Sequence, residues 1–398
     1  MKKVLVKVYH PDNSFINVLQ NVTFAGFTKE INAGLGNCIL EVGFAFDYIG
    51  NEIKLGNNVE ILISDKETTT LTDGYLLIYS GYISKYTPWI KNAKEGITVE
   101  LLGHYTKLST DILRDSTQTS LYTKAVDGIT NVLIDMSPAE ISDVIKGIIY
   151  RYISEATQSV KMLYDGNTIQ DTGCDVEYTF EAKTYRNAID KLVSAAPPWW
   201  FWYFDEFFNF YFKVKPTTPT HTFIMGKHFQ NLKVSQDMEK VRNVLLIWNG
   251  ESSIENAIYR RYENIASSNI FGQRTELLYD FGIGDTTTAD NIGHKFVDEN
   301  GIQEITITCD ILDSNENNFG YDIESIKPGD TCRFIGFNEA FADVIRDNML
   351  ISKVGYTLNK VELTVEATKG GILEWQKQTS KKVDDLSFEG MPEDYVVA

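Results

Sequence analysis

The sequence predicts a mainly β fold with an α/β insertion, in which one β unit occurs twice. Short alternating segments occupy both ends of the chain, two helical patterns lie between them, and a group of motifs near residue 53 returns in the same order near residue 326. With 398 residues, the chain is long enough for two or three domains with cores of their own.

The repeated motifs are three segments that keep their order while the loops between them change length. Corresponding segments begin 273, 268 and 266 residues apart. Chance similarity among β-rich segments is the alternative interpretation. The first copy reads IKLGNNVEILI (Ile53–Ile63), ISK (Ile83–Lys85) and ITVELL (Ile97–Leu102), and the second reads IKPGDTCRFI (Ile326–Ile335), ISK (Ile351–Lys353) and LTVEA (Leu363–Ala367).

The first hundred residues have the period of two that half-buried strands show. The first such run ends at the turn residues Pro11-Asp12-Asn13. Six short strands separated by turn residues predict a small barrel or sandwich. The predicted strands are Val4–Tyr9, Val22–Ile31, Cys38–Phe46, Val59–Ile63, Tyr75–Tyr86 and Ile97–Leu102.

Helical spacing begins after residue 108. Ser137-Pro138-Ala139-Glu140 has the form of a capping box with proline at the first helical position, and apolar residues follow at helical spacing to Tyr152. A second helix is predicted from Thr184 to the Pro197-Pro198 pair, with a strand-like segment, Asp175–Glu181, before it. Residues 109–198 are therefore predicted to form an α/β domain between the two β units.

The segment Trp199–Phe212 carries 11 aromatic residues in 14 positions. Two strands that close at Asp205-Glu206 fit this composition. A membrane-penetrating loop and a sugar-stacking platform are the alternatives. Each arm is too short to span a bilayer, and clustered aromatic residues usually pack in cores or subunit interfaces, so the sequence favours a buried hairpin.

The last third of the chain continues with mixed elements. Ser267–Arg274 is predicted to be a turn, the following TELLYDFG a strand, and Thr287 to Glu299 a helix that Gly301 closes. A strand from Gln303 to Leu312 then precedes the second copy of the repeat.

Composition excludes several classes of protein. The net charge of −18 argues against a protein that grips nucleic-acid phosphates with clustered lysine and arginine. The four cysteines lie far apart without a CxxC pair, which argues against a disulfide framework and a zinc site. No stretch reaches the roughly 18 apolar residues of a membrane span. The sequence thus predicts a soluble protein that is made in the cytoplasm.

Catalytic signatures are sparse. The five histidines show neither HxxxH nor HExxH spacing, no GxSxG or Cys-His signature occurs, and Gly282-x-Gly284 lacks the context of a nucleotide site. The carboxylate pairs Asp205-Glu206 and Asp384-Asp385 fit a turn and a tail. We therefore predict no catalytic residue, no cofactor and no metal.

Several motifs together resemble the tail hub family of bacteriophages, which includes hub proteins of contractile-tail baseplates and the N-terminal part of tail-associated proteins in long tails. The resemblance extends to about Gly371. It is carried by Asn243 before an apolar strand, Ser268-x-Ile270-x-Gly272-x-Arg274, the TTTAD helix start at Thr286–Asp290, and Lys327-Pro328-Gly329-Asp330.

The resemblance implies two tube-like β-barrel domains per subunit and three subunits in a pseudo-sixfold ring. The implied domains are a first barrel at 1–108 completed by strands from about 199–247, the inserted α/β domain at 109–198, and an aromatic hairpin with a second barrel at 199–371 that includes the helix 287–299. Residues 372–398 follow as a docking tail. The ring would continue the tail tube of the virion and let double-stranded DNA pass without specific binding. Implied partners are a tube-end or distal tail protein, a tape measure protein, and tip, spike or receptor-binding proteins.

Two further predictions name residues. From Phe296 to Ile326 the chain has eight acids and no lysine or arginine, and we predict that Glu304, Asp310 and Asp313 face a channel whose negative charge repels DNA. A solvated outer face is the alternative. The tail residues Tyr395, Val396 and Val397 are candidates for docking on a partner.

The sequence thus predicts a structural protein without enzymatic activity. One alternative is a peptidoglycan or polysaccharide hydrolase with Asp205, Glu206 or the acidic 298–324 region as carboxylates. Another is a carbohydrate-binding receptor module that uses the Trp199–Trp202 face.

Overall fold

The structure is a computed structural model that describes residues 2–43, 48–64, 74–91, 94–113, 122–124, 139–155, 168–177, 179–181, 183–250, 257–301, 304–313, 319–336 and 348–366. Strands dominate these residues, which confirms the prediction of a mainly β fold. The docking tail 372–398, with Tyr395, Val396 and Val397, lies outside the described residues.

In the N-terminal unit, the described residues form the six predicted strands and one more. The additional strand, β2, was missed because its five residues, FINVL, are nearly all apolar and lack the apolar–polar alternation of the other strands. The strands are β1 (Val4–Tyr9), β2 (Phe15–Leu19), β3 (Val22–Glu30), β4 (Leu35–Gly43), β5 (Asn58–Ser64), β6 (Tyr75–Lys91) and β7 (Lys94–Gly103).

The middle of the chain contains both predicted helices, but the first begins later than its capping box predicts. Ala139 and Glu140 form a strand, and the Glu140 carboxylate caps the helix by accepting hydrogen bonds from the backbone N–H groups of Ser142 (2.6 Å) and Asp143 (3.2 Å). The elements are β8 (Tyr122–Lys124), β9 (Ala139–Glu140), α1 (Ile141–Glu155), β10 (Asp175–Val176), β11 (Thr179–Glu181), α2 (Tyr185–Ala195), β12 (Trp200–Phe204) and β13 (Phe210–Val214).

The C-terminal part departs from prediction at one segment. The stretch predicted to be a turn around Ser267 is a short helix, capped by the side chain of Asn264. The elements are β14 (His221–Ile224), β15 (Phe229–Asp237), β16 (Val244–Trp248), β17 (Tyr259–Glu263), α3 (Ile265–Phe271), β18 (Thr275–Tyr279), α4 (Thr286–Asn300), β19 (Glu304–Leu312), β20 (Thr331–Ile335), β21 (Met349–Tyr356) and β22 (Lys360–Glu366).

Among the described residues, one 13-stranded sheet joins the N-terminal and C-terminal β units. Its order is β15-β19-β22-β21-β3-β4-β7-β6-β5-β1-β2, with β20 beside β21 and β14 beside β20. Within it, the order β20-β21-β22-β19-β15 repeats the order β5-β6-β7-β4-β3. The described strands do not close into a barrel, so the two tube-like barrels predicted above stay a proposal.

The repeated motifs adopt the same local structure in both places. Gly56 and Gly329 have φ angles of +87° and +85°, and their N–H groups donate to the carbonyls of Ile83 (2.9 Å) and Ile351 (2.8 Å). The serine of each ISK motif lies at a β-bulge. The hydroxyl of Ser84 donates to the carbonyl of Glu100 (3.0 Å), and that of Ser352 donates to the carbonyl of Thr364 (3.2 Å).

The third pair of motifs matches with a different register from the one read in the sequence. Ile83 lies opposite Leu101 on β7, and Ile351 lies opposite Val365 on β22. Leu101 is thus equivalent to Val365 in the structure. The sequence comparison, which matches Ile97 with Leu363, differs from this structural equivalence by two residues. A shift of two leaves every side chain on the same face, so the apolar pattern cannot reveal it.

Two large hydrophobic cores lie on this framework. One packs under the 13-stranded sheet and includes Leu40, Val99, Ile307 and Val365. The other combines α1 and α2 with the aromatic hairpin β12–β13 and continues into β16, β18 and α4. Residues on both sides of position 198 thus share one core, while the predicted domain boundaries stay predictions.

The aromatic hairpin is buried, as predicted. Trp202 is fully buried, and its indole N–H donates to the carboxylate of Asp190 on α2 (2.8 Å). Arg186 approaches the same carboxylate at 3.6 Å. Phe201 packs against Gly329, where an added Cβ would lie 2.2 Å from the ring. The hairpin therefore joins the second core to the turn of the C-terminal β unit.

Candidate functional site

A polar face covers the side of the large sheet that is turned away from its core. Residues paired across neighbouring strands share a face, and the rows of partners continue from β6 through β7, β4, β3, β21, β22 and β19 to β15. We call this surface the polar face. It includes Lys85, Glu100, Glu41, Thr28, Glu30, Lys353, Lys360, Glu362, Thr308, Asp310, Lys233 and Asp237.

Carboxylates outnumber lysines on the polar face, and three ion pairs span neighbouring strands. Lys85 contacts Glu100 (2.7 Å), Lys353 contacts Glu30 (3.8 Å), and Lys360 contacts Asp310 (2.8 Å). The hydrogen bond from Lys360 to Asp310 raises the pKa of that lysine. All six side chains are exposed enough for water and salt to screen them, so each pair contributes little to stability.

The three predicted channel acids do not lie together. Asp310 belongs to the polar face, and Glu304 has the same parity along β19, opposite Asp237 on β15. Asp313 follows the end of the strand, and its carboxylate contacts Lys2 at 2.9 Å. Sequence reasoning missed Glu362, which lies directly opposite Asp310 in the ladder. Its place could have been found from the alternation of Val361, Glu362 and Leu363.

Lys2, at the start of the chain, forms ion pairs with the C-terminal β unit. Its ammonium group contacts both Asp313 and Glu324, and Glu324 also accepts a hydrogen bond from the Tyr356 hydroxyl (2.7 Å). Burial lowers the pKa of Lys2, but its hydrogen bonds to the two carboxylates outweigh this effect, and the net shift is upward. Asp313 therefore contributes to the contact between the start of the chain and the C-terminal β unit.

A surface depression of about 500 Å³ lies where β15 bulges away from β19. Its floor includes Phe229, Leu232 and Cys309, and its rim includes Lys233 and Asp310. Burial raises the pKa of the Cys309 thiol to about 12, which keeps the thiol protonated at neutral pH. The depression thus offers no activated nucleophile from this cysteine.

His221 takes part in a hydrogen-bond chain that resembles a catalytic relay. Its Nδ1 lies 2.9 Å from the Tyr321 hydroxyl, and its Nε2 lies 3.1 Å from the Asp330 carboxylate. The same carboxylate accepts the backbone N–H of Lys327 (3.0 Å). Both ring nitrogens of this buried histidine are engaged by the protein, so the chain fixes β14 to the Gly329 turn rather than offering a base to a substrate.

The hydrolase interpretation placed catalytic carboxylates at Asp205 and Glu206. The Asp205 carboxylate accepts the N–H groups of Phe207 and Asn209 (both 2.9 Å), and Glu206 contacts Lys29 at 3.3 Å. Both acids are buried. Their oxygens hold the hairpin turn and its contact with β3, which leaves them poorly placed for work on a polysaccharide.

The carbohydrate-stacking interpretation required an open aromatic face at Trp199–Trp202. Trp200 is 7% exposed, and Phe201 and Trp202 are fully buried. Trp199 is partly exposed, but the Lys215 ammonium lies 4.2 Å from its ring centre. The described hairpin therefore presents no stacking platform.

Glu140, Asp143 and Asp171 form an acidic cluster whose carboxylate oxygens lie within 4.8 Å of one another. Lys146 contacts two of these carboxylates, and Glu140 accepts hydrogen bonds from the N-terminal residues of α1. The cluster is thus explained by helix capping and ion pairing. Among the described helices, none has the length and apolar character needed to cross a membrane.

Solved structures with the same fold come from tail proteins of prophages and bacteria. The 43 kDa tail protein of prophage MuSo2 from Shewanella oneidensis matches with a TM-score of 0.60 and 12% identity over 92% of this chain and 98% of that one. Prophage tail protein gp18 from Listeria monocytogenes EGD-e matches with a TM-score of 0.54 and 12% identity over 96% and 99%. A tail protein from Neisseria meningitidis MC58 matches with a TM-score of 0.55 and 9% identity over 93% and 97%.

No family model matches the chain, and no curated protein matches it. At identities this low, the likeness to the three tail proteins shows a shared fold.

Proposed function

We propose that this chain is a structural protein of a bacteriophage tail or a phage-derived particle, and that three copies form a hub ring. The observation that carries the proposal is the repeated strand order, which places two equivalent β units side by side in one continuous sheet. Three chains of this kind supply six units, so a threefold assembly can match a sixfold tube. The shared fold with three tail proteins supports the same assignment.

The two units are inferred to be products of an internal duplication, each forming one tube-like barrel when the ring is complete. The equivalent glycine turns and bulge serines described above support this inference. The inserted α/β domain and the aromatic hairpin then occur once for every two units, on the outside of the ring. The domain boundaries at residues 108, 198 and 371 belong to this proposal.

The polar face is proposed to line the channel. Its surplus of carboxylates would repel the phosphates of passing double-stranded DNA, and its few lysines are engaged by carboxylates at Lys85, Lys353 and Lys360. Glu304 and Asp310 would then face the lumen, as predicted from the sequence. Asp313, in contrast, would serve the contact with Lys2.

The proposed partners are a tube-end or distal tail protein on one side of the ring and tip, spike or receptor-binding proteins on the other, with a tape measure protein in the channel. Tyr395, Val396 and Val397 are the candidate docking residues of the C-terminal segment. Removing residues 380–398 should leave the thermal unfolding midpoint unchanged and weaken capture of a downstream component. A truncated chain that fails to fold would place this segment in a core instead.

Electron microscopy of the purified chain tests the proposal. We expect threefold rings with a central hole, formed by the chain alone at high concentration or after addition of a tube-end partner, and mass measurements that give multiples of three. A stable twofold dimer would overturn the proposal, because a twofold contact uses the same surface on both copies and cannot build a ring of repeated units. Turnover of purified cell-wall material would favour the hydrolase instead.

A further inference from the structure

Two strands of the large sheet have one long edge that no other described strand covers. From Lys85 onward, β7 is the one described strand that pairs with β6, because the ladder between β6 and β5 ends at Tyr82. On the other side of the sheet, β15 pairs with β19 and with no other strand in the described part of the chain. Strand edges offer a row of backbone donors and acceptors, which another strand can satisfy.

These two edges occupy equivalent positions in the two units. In the repeated strand order, β6 corresponds to β21 and β15 corresponds to β3. Inside the chain, the corresponding edges cover each other: β21 and β3 pair antiparallel, with Lys353 opposite Glu30 and Gly355 opposite Thr28. The chain therefore already contains one example of the strand pairing that the edges of β6 and β15 do not make with any described strand.

The register of the missing contact follows from the rows of paired residues. Phe27, Cys38 and Leu101 form one row, and its equivalent runs through Val234, Ile307 and Val365. Since Phe27 corresponds to Val234, Glu30 corresponds to Asp237, and each is the last residue of its strand. The ISK motif makes Lys85 equivalent to Lys353. Lys85 thus has the same charge as Lys353, and Asp237 has the same charge as Glu30.

We propose that β15 of one copy pairs antiparallel with β6 of a second copy, with Lys85 opposite Asp237 and Thr87 opposite Ser235. This inference rests on the proposed ring and assigns the strands that close it. Lys85 is well exposed, and Asp237 is the last residue of its strand, so the incoming lysine would lie opposite an acid. The ladder ends at Pro88, which has no N–H to donate.

The contact is heterologous, because each copy contributes a different edge. Every copy then offers one β6 edge and one β15 edge, and the sheet continues from chain to chain. When the angle between copies equals the angle between β21 and β3, three copies close with six equivalent strand pairs. Three of those pairs lie within chains, and three lie between chains.

Disulfide trapping tests the register directly. Thr87→Cys in one preparation is mixed with Ser235→Cys in another, and the mixture is oxidised. Directly opposed positions on paired strands bring Cβ atoms within roughly 4.5–5.5 Å, close to the separation that a disulfide requires. We expect a cross-linked dimer in this mixture, and cross-linked trimers when one chain carries both substitutions.

The controls distinguish this inference from the proposed ring. Each single variant alone, the unsubstituted chain, and Thr87→Cys mixed with the diagonal variant Lys233→Cys should give little cross-linking. Equal cross-linking in these controls would overturn the register. Rings in electron micrographs without the Thr87–Ser235 cross-link would overturn the strand assignment and leave the ring standing, whereas absence of both rings and cross-links would overturn both.

Charge reversal provides an independent readout. Lys85→Glu and Asp237→Lys should each weaken self-association by about three- to tenfold, because each places like charges opposite one another. The double variant should recover most of the loss, while the matched variant Lys94→Glu, which lies at the tip of the β6–β7 hairpin, should change self-association less. Single reversals that associate like the unsubstituted chain would remove this ion pair from the interface.

Discussion

Asp190 should make the stability of the second core fall as pH rises from about 4 to 6. Burial raises the pKa of this carboxyl to about 6, although Arg186 and the indole N–H of Trp202 favour its charged form. The ordinary value is 3.8. The folded chain therefore holds this proton more tightly than the unfolded chain, and the free energy of unfolding decreases with pH through this window and levels off above it.

The size of the effect follows from the shift. Two pKa units correspond to about 3 kcal/mol of differential stability, reached once the buried carboxylate is ionised at neutral pH. Asp190→Asn keeps an oxygen that can accept the Trp202 indole hydrogen bond, but it cannot ionise. We therefore expect the variant to gain stability relative to the unsubstituted chain as pH rises, by up to about 3 kcal/mol between pH 4 and pH 7.

Urea unfolding followed by tryptophan fluorescence at pH 4.5, 5.5, 6.5 and 7.5 measures this difference. Asp298→Asn, at an exposed position of α4, is the matched control for the substitution itself. A constant difference between the Asp190→Asn variant and the unsubstituted chain at all four pH values would refute the reasoning, because it would show that burial does not perturb this carboxyl.

The remaining predictions concern the two β units. Gly329→Ala should destabilise the chain by roughly 2–4 kcal/mol, because the added methyl group lies at a positive φ and overlaps the Phe201 ring. Gly56→Ala, which also has a positive φ but has open space around it, should cost about 1 kcal/mol. Thermal unfolding that shows equal losses for the two variants would contradict this difference. Lys2→Met should cost about 1–3 kcal/mol at pH 7, because it leaves two neighbouring carboxylates without the cation that both of them contact. An unchanged free energy of unfolding would argue against this role of Lys2. Asp310→Lys combined with Glu362→Lys should leave assembly intact and make rings retain double-stranded DNA at low salt but not at high salt; negligible DNA binding by these rings would place the polar face outside the channel.

Much of the fold was predictable because the signals were local. The α2 helix has a capping threonine at Thr184 and ends before Pro197, and α4 has Asp285 before it and Gly301 after it, so sequence neighbours alone mark their ends. The first helix was placed three residues early because Glu140, predicted as the third helical residue, pairs with Asp175 in a strand instead. No pattern in the neighbouring sequence indicates that long-range pairing.

The candidate site was less predictable, because it depends on which strands become neighbours. The acidic run from Phe296 to Ile326 drew attention to Asp310, but Glu362, which lies opposite it, belongs to a segment 52 residues further along the chain. Asp313 has the same local character as Asp310, and only the position of Lys2 in space separates their roles. The lysine of the ISK motif occurs twice in the sequence, but its position at a strand edge can be recognised only from the strand order.

The hydrogen-bonded junction between β21 and β3 has a consequence for how a ring could assemble. Six separate units would lose translational and rotational freedom in five association steps, whereas three double units lose it in two, and each step costs an estimated 4–15 kcal/mol. Covalent linkage of two units thus removes most of the entropy cost of assembly. Without it, the short strand pairs between chains would have to offset that cost. The contacts between chains can then be short and reversible, so that an incorrectly joined copy dissociates before the ring closes.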